Sequence, residues 1–515
     1  MRRPLPLEVW LLIVDELGAA REYDALEACA EASSKESQLL NERAKKYIPN
    51  ELGFRTPEEV ASIRVARKLG WLGPKCVRIE GGEHRGERLP IPHLATFASR
   101  LARKWYNVSV MVIKRAEWRA QDLDFPSVSL NLCYFASITH LHLHDVAFPT
   151  VRAFWRLVCA FPDLVTLRAY DIEIANTAID ARTLAALCLL SAPVELGVIE
   201  IVTEQPGDLA ARTDCAKLFQ AITPQAVPFL KTSLWSFVSE LDFQHVTCST
   251  AAAFARLLCA LPALKKLSIR GPCTFLEQST DVPDMTFRLD RLDLGKDFSL
   301  QSESQSVDAL IDLFTQPRAG GGLRDISVWL SPYLRVMTST DVALNRLVKH
   351  AGRSLSGLGL RALPEDGFRL YSKASILAAP NTVRSFNIAA NTDLSFLGCS
   401  IEFKSEDKFQ DSPLLEMLHN ITSEWITHVS VTFQVKNAAD LPRFWIALPQ
   451  LDLALSRNAF TKLRRVRLYL CEIEVTNMIL DCITLCLRRL YNRDILEYVE
   501  QIEQLRLEVP RSCWA

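Results

Sequence analysis

Net charge is almost absent from this 515-residue chain: 59 lysines and arginines stand against 60 aspartates and glutamates, a balance of −1. Both signs are spread along the sequence, so no general attraction to phosphate backbones or anionic bilayers is expected, and neither nucleic acid nor a membrane is an expected partner. Long apolar runs are lacking too. Nothing approaches the ~18 uninterrupted apolar residues of a membrane span. An apolar stretch follows Arg2 and Arg3, but Pro6, Glu8, Asp15 and Glu16 break it before a secretory hydrophobic region could form. In the closing Ser512-Cys513-Trp514-Ala515 the cysteine stands one place too late for prenylation. A soluble, intracellular protein, cytoplasmic or nuclear, is the expectation.

Fourteen cysteines are too sparse for a disulfide scaffold in so long a chain, and no C-x-x-C pair occurs. Cys159, Cys188 and Cys259 fall within apolar patterns and read as small buried hydrophobes. Cys482 and Cys486 lie one helical turn apart, without a second Cys/His pair at zinc spacing nearby. G-x-S-x-G and H-E-x-x-H are missing. Gly357-Leu358-Gly359-Leu360-Arg361-Ala362 matches a loose dinucleotide fingerprint, but it reads as a strand followed by Pro364, where that chemistry needs a helix start. Gly320-Gly321-Gly322 lacks the lysine and hydroxyl of a phosphate loop. No catalytic residue, metal or cofactor is therefore expected.

An internal repeat is present. Residues 138–170 align without a gap onto residues 238–270: Phe154 matches Phe254, Arg156 matches Arg256, and Cys159-Ala160 matches Cys259-Ala260. Pro162, Leu164 and Leu167 match Pro262, Leu264 and Leu267. Each copy opens with an alternating stretch, Leu141-x-Leu143 or Leu241-x-Phe243, whose period of two suits a strand with one buried face. Phe154, Leu157, Val158 and Phe161 then form the stripe of an amphipathic helix, as do Phe254, Leu257, Leu258 and Leu261. A proline ends the helix and a second strand closes the unit. Further strands are expected at Val194–Val202, Leu289–Leu294, Leu323–Leu330, Leu355–Leu363, Val383–Ile388, Ile426–Phe433, Leu463–Leu470 and Leu505–Val509. Strands alternating with helices at 25 to 45 residues, with Leu-x-Leu at the strand, are the signature of leucine-rich-repeat horseshoes, though the spacing here is irregular.

His140, His142 and His144 alternate beside Asp145, a strand spacing that places three imidazoles on one face and could ligate zinc. The second copy carries Glu240, Asp242 and Gln244 at the equivalent positions. The face therefore reads as a polar surface turned to water or to a partner protein, not as a metal centre.

At the N-terminus, residues 5–17 read LPLEVWLLIVDEL: Pro6 suits a first helical turn, Glu8 complements the helix dipole, and Val9, Ile13 and Leu17 share a face. A second helical pattern holds Leu26, Ala28 and Cys29. The L-P-x-E-V-x-x-x-I-x-x-x-L pattern followed by a leucine-rich tail resembles an F-box protein, and the run ITHLHLHDVAFPTVRAFWRLVCAFPDLVTL is similar to a segment of F-box domain proteins of basidiomycete fungi.

The resemblance implies an α/β chain with an F-box-like helical motif over residues 1–48. A connecting region with the first irregular repeats would span 49–135, and a leucine-rich-repeat-like solenoid of strand-helix units 136–515. It also implies a non-catalytic substrate receptor. Leu5, Pro6, Glu8, Val9, Ile13, Leu17, Leu26 and Cys29 would dock on the S-phase-kinase-associated adaptor of a cullin-RING ubiquitin ligase, and the repeats would hold a target protein. A repeat scaffold without any ligase is the alternative. The family commonly has an aromatic residue shortly after the cysteine, whereas this chain continues Glu31-Ala32-Ser33-Ser34.

Overall fold

The computed structural model describes residues 5–32, 38–63, 71–119, 123, 125–176, 193, 195–202, 235–277, 287–316, 322–331, 334–363, 384–402, 413–434, 441–471 and 477–500. The chain is mixed α/β and divides into two compact units, Met1–Asp242 with Ala260–Ala263, and Phe243–Cys259 with Leu264–Ala515.

The first unit opens with three helices, α1 (Leu7–Ala19), α2 (Tyr23–Ala32) and α3 (Gln38–Tyr47). There follow β1 (Glu51–Phe54), α4 (Pro57–Ser62), β2 (Cys76–Glu80), β3 (Leu89–Pro90), α5 (His93–Leu101), β4 (Val110–Glu117) and α6 (Phe125–Leu132). The unit continues with β5 (His140–Thr150), α7 (Val151–Val158), β6 (Thr166–Asn176), β7 (Val198–Val202) and β8 (Glu240–Phe243). β1, β2, β4, β5, β6 and β7 pair in that order, all parallel, and β3 pairs with the end of β4. Parallel neighbours cannot be joined by a tight turn, so a crossover must connect them. Between β5 and β6 that crossover is α7, and its Phe154, Leu157 and Val158 are buried together with Leu141 and Leu143 of β5 and Leu167 and Ala169 of β6.

The repeat extends to the helix caps. Thr150 Oγ1 accepts from the Ala153 amide at 3.2 Å to start α7, and Thr250 Oγ1 accepts from the Ala253 amide at 3.0 Å at the start of α8 (Ala251–Cys259). α7 stops four residues before Pro162, yet Phe161 and Leu164 stay buried, so the apolar stripe outlasts the helix.

Three neighbouring strands bend at one level. Arg115, Asp145 and Asp171 adopt positive φ of 49°, 56° and 50°, each between the pairs Lys114↔His144↔Tyr170 and Ala116↔Val146↔Ile172. One left-handed residue per strand breaks the period of two, so Val146, Phe148 and Ile172 return to the buried face. Arg88 fastens this corner by donating to Asp145 Oδ1 at 2.5 Å and pairing with Glu173, while the Gly86 amide donates to Asp145 Oδ2 at 2.9 Å.

In the second unit the strands are β9 (Val246–Cys248), β10 (Lys266–Ile269), β11 (Cys273–Phe275), β12 (Arg291–Leu294), β13 (Asp325–Leu330), β14 (Arg335–Val336), β15 (Gly357–Ala362) and β16 (Arg384–Ser385). They continue with β17 (Phe396–Glu402), β18 (His428–Gln434), β19 (Arg465–Cys471) and β20 (Leu496–Glu500). β10, β12, β13, β15, β17, β18, β19 and β20 pair in sequence order, again all parallel. Helices recur between them, among them α9 (Lys296–Gln301), α10 (Ser304–Thr315), α11 (Ser339–Ala351), α12 (Pro413–His419), α13 (Leu441–Leu455) and α14 (Asn477–Cys486).

The expected strands at Leu289, Leu323, Leu355, Ile426 and Leu463 each begin two residues later than the pattern suggested, because the leading apolar residue is already buried in the preceding turn. The strand expected at Val194–Val202 is β7, and Val194 lies outside the described residues. Val383 of the stretch Val383–Ile388 lies outside the described residues, and the described ones supply only β16, an antiparallel partner of β14. The next strand of the sheet is instead β17, where the buried Cys399 stands in place of the second leucine of a Leu-x-Leu pattern. Leu505–Val509 lies outside the described residues, and β20 is the partner of β19.

Candidate functional site

α1 carries six consecutive apolar residues, Val9 to Val14, and at about 100° per residue such a run cannot fit on one face. Among the described residues of this helix only Val14 is fully buried. Leu12 and Val9 occupy the arc turned away from it, Ile13 lies at the edge of that arc, and Trp10 and Leu17 stand within one turn of Val14 on its own side; Leu12 is 65% exposed and Leu5, just before the helix, 50%. Leu7, Val9, Trp10 and Leu39 of α3 are also exposed. Leu11, Leu12 and Asp15 of α1 and Leu39 and Arg43 of α3 line a groove between the two helices.

Of the residues expected to dock, Leu5, Pro6, Glu8 and Val9 are exposed and Ile13, Leu17 and Cys29 partly so. Leu26 is fully buried and serves the packing of the three helices. Leu7, Trp10, Leu12 and Leu39 were not singled out by the sequence pattern; the unbroken apolar run in α1 was the signal for Trp10 and Leu12.

The groove is held by charge. Arg43 donates to both carboxylate oxygens of Asp15 at 2.7 and 2.9 Å, and the Tyr47 hydroxyl donates to Oδ1 at 2.9 Å. The hydrogen bond from Arg43 holds the Asp15 carboxyl below its ordinary range. α2 faces the other way: the Tyr23 ring lies 4.5 Å from Trp71, and the Trp71 amide donates to Asp24 at 2.7 Å. Trp71 then meets Trp105 at 5.3 Å, and Trp105 meets Phe97 and Phe54. Aromatic packing thus anchors α2, while α1 turns its apolar arc to solvent.

His140, His142 and His144 do share the face of β5 opposite the apolar core, each partly buried. Their neighbours on that face are Val110, Val112 and Lys114 of β4 and Thr166, Arg168 and Tyr170 of β6. His144 stacks on Tyr170 at 4.3 Å and 2°. Glu240 and Asp242 are likewise partly exposed on β8, and Gln244 is partly exposed just after it. Among the described residues no group of three His, Cys, Asp or Glu side chains could hold a metal ion. Gly357 and Gly359 lie inside β15, not in a phosphate-binding turn. Burial pushes the Cys159 thiol up to about 12, away from nucleophilic reactivity, and Cys188 lies outside the described residues.

Burial, reinforced by Arg168 for His142 and by Lys114 for His144, lowers both imidazoles to about 4. Below pH 6.5 the unfolded chain takes up protons at both rings, whereas the folded chain resists until about pH 4, so stability is lost as the pH falls through that window. After allowance for partial solvent screening the loss is about 1–2 kcal/mol per ring. Urea midpoints at pH 7 and pH 5 are expected to differ less in His144→Phe, which keeps the stack on Tyr170. An unchanged difference would contradict this account of the ladder.

Among the described residues no helix is long and apolar enough to cross a membrane. No protein-family model and no curated protein matches the chain.

Proposed function

We propose that this chain is a non-catalytic substrate receptor of a cullin-RING ubiquitin ligase, docking on the S-phase-kinase-associated adaptor through α1 and holding a target protein on its strand-helix repeats. The observation that carries the reading is the exposed apolar arc of α1. Apolar side chains that a helix could have turned inward stay in water here, as expected of a surface awaiting a partner. Val9 of the F-box-like pattern lies on that arc and Ile13 at its edge, whereas Leu17 falls on the side of Val14. The repeats are read as a leucine-rich-repeat-like solenoid because strands follow one another in sequence order within each unit. A doubly wound enzyme reverses its strand order at the switch point where ligands bind.

Such a receptor works by proximity: it raises the local concentration of the target beside the charged conjugating enzyme and needs no catalytic group of its own. Co-purification of the full chain with the adaptor, weakened by Leu5→Ala, Pro6→Ala and Ile13→Ala, tests the reading. Binding that is absent, or indifferent to all three changes, sinks it.

The contact of Tyr23 and Asp24 with Trp71 favours a second role for the helical motif, as the cap of the repeat array. A chain lacking residues 1–48 is expected to expose Trp71, with a red-shifted tryptophan emission and a lower melting temperature. An unaltered spectrum and melting temperature would exclude capping without touching the docking proposal.

A further inference from the structure

The edge of the first unit at which the strands begin carries a patch distinct from the helical groove and from the sheet face. Three turns meet there, residues 71–75 before β2, 102–109 before β4 and 133–139 before β5. Main-chain bonds tie them together: the Asn107 amide donates to the Leu72 carbonyl at 3.0 Å, the Ser109 amide to Lys75 at 2.9 Å and the Thr139 amide to Ser109 at 3.0 Å. Trp105 and Val108 are buried beneath the middle turn, while Arg103, Lys104 and Tyr106 are in solvent. Tyr106 is 53% exposed and Tyr134, on the next turn, 37%.

The charge of this edge is of one sign. Lys75, Arg103 and Lys104 are the only charged residues in the three turns, and all three are exposed. Among the described residues none of them forms an ion pair. Glu51 on the neighbouring β1 is already engaged by Arg78 at 3.3 Å. Other arginines of this unit are committed to acids, Arg43 to Asp15, Arg88 to Asp145 and Arg115 to Glu80. Arg103 instead lies flat, with its guanidinium carbon 3.6 Å from the centre of the Tyr134 ring. Stacking uses the face of a guanidinium and leaves its N–H edge able to fork onto a carboxylate. The backbone of Arg103 is held at φ +63°, uncommon for a residue with a side chain, and the Tyr106 hydroxyl donates to its carbonyl at 2.5 Å.

The geometry points to this edge as the docking surface for a short acidic segment of a partner protein, whose aspartates or glutamates meet Arg103, Lys104 and Lys75. Charge complementarity selects the occupant: three unpaired cations without an acid between them repel a basic partner and gain nothing from a neutral one. The turns follow β2, β4 and β5, so the row spans two strand spacings, about 10 Å. A single small anion cannot bridge that distance. An extended segment can, because alternate residues lie about 6.6 Å apart on one side of it. Tyrosine and arginine are also the side chains that most often anchor protein interfaces. Nucleic acid is disfavoured by the small number of cations and because the Tyr134 face on which a base would stack already carries Arg103. The inference goes beyond the receptor reading and stands whether or not the adaptor binds.

The test uses the full-length chain and a labelled octapeptide of alternating glutamate and leucine, beside its glutamine counterpart. The glutamate peptide is expected to bind about tenfold or more tightly than the glutamine one, and to weaken as salt is raised. Arg103→Gly should weaken it about tenfold and leave the melting temperature in place, since glycine accepts the positive φ. Lys75→Ala with Lys104→Ala should weaken it about threefold or more. Absence of binding overturns the inference, as does equal binding of the glutamine peptide or indifference to Arg103→Gly. A lower melting temperature in Arg103→Gly also overturns it, because the guanidinium would then serve the fold through Tyr134. Tighter binding of oligothymidylate than of the glutamate peptide would make nucleic acid the occupant and contradict the proposal. If Arg103→Gly fails to fold, the lysine pair decides alone.

Discussion

Val9→Asp combined with Leu12→Asp is expected to abolish adaptor binding while leaving the fold intact. Both side chains lie on the arc of α1 turned away from Val14, and neither is buried in the free chain. Surface substitutions away from caps and cores typically change stability by within about 0.5 kcal/mol. At an interface the same positions would be desolvated apolar anchors, and losing one typically costs about 2 kcal/mol or more. Two introduced carboxylates would also have to be buried unpaired, which adds to the loss. A drop in affinity of at least about 100-fold is expected, read by titration of labelled adaptor with the melting temperature as control. Retained affinity would place any docking surface elsewhere. A collapsed melting temperature would mean that the arc serves the fold.

Trp105→Ala should be among the most destabilising single changes in the first unit. Trp105 is 2% exposed and packs against Phe54, Phe97 and Trp71, with ring centroids 6.3, 6.1 and 5.3 Å away. Gly73, at φ +94°, runs so close that any side chain there would strike the indole, and the Asn107 side chain fixes that turn by donating to the Gly73 carbonyl at 3.1 Å. Deleting a buried tryptophan costs about 3–5 kcal/mol, against a typical total stability of about 5–15 kcal/mol. Because Trp105 meets Trp71, and Trp71 meets Tyr23, the change should also loosen the seat of α2. Denaturant unfolding of the variant tests this, and a loss below about 1 kcal/mol would show that the cluster repacks.

Some of this architecture is legible in the sequence and some is not, for identifiable reasons. The offset of 100 foretold the strand-helix-strand unit, and Thr150 and Thr250 cap equivalent helices because the repeat preserves the turn chemistry as well as the apolar stripe. In the N-terminal motif, periodicity groups Val9, Ile13 and Leu17 but cannot say whether their face is covered. Leu26 in the same pattern is buried, whereas Leu12 is in water. β17 does not show a Leu-x-Leu pattern because Cys399 takes the second buried position.

Hydrogen exchange on the full chain, with and without stoichiometric adaptor, tests the central claim most directly. Docking through α1 predicts protection appearing at residues 7–19, extending to α3 around Leu39, with α2 unchanged because it is already packed on Trp71. No new protection within residues 5–47, with the adaptor present in excess, would contradict the account.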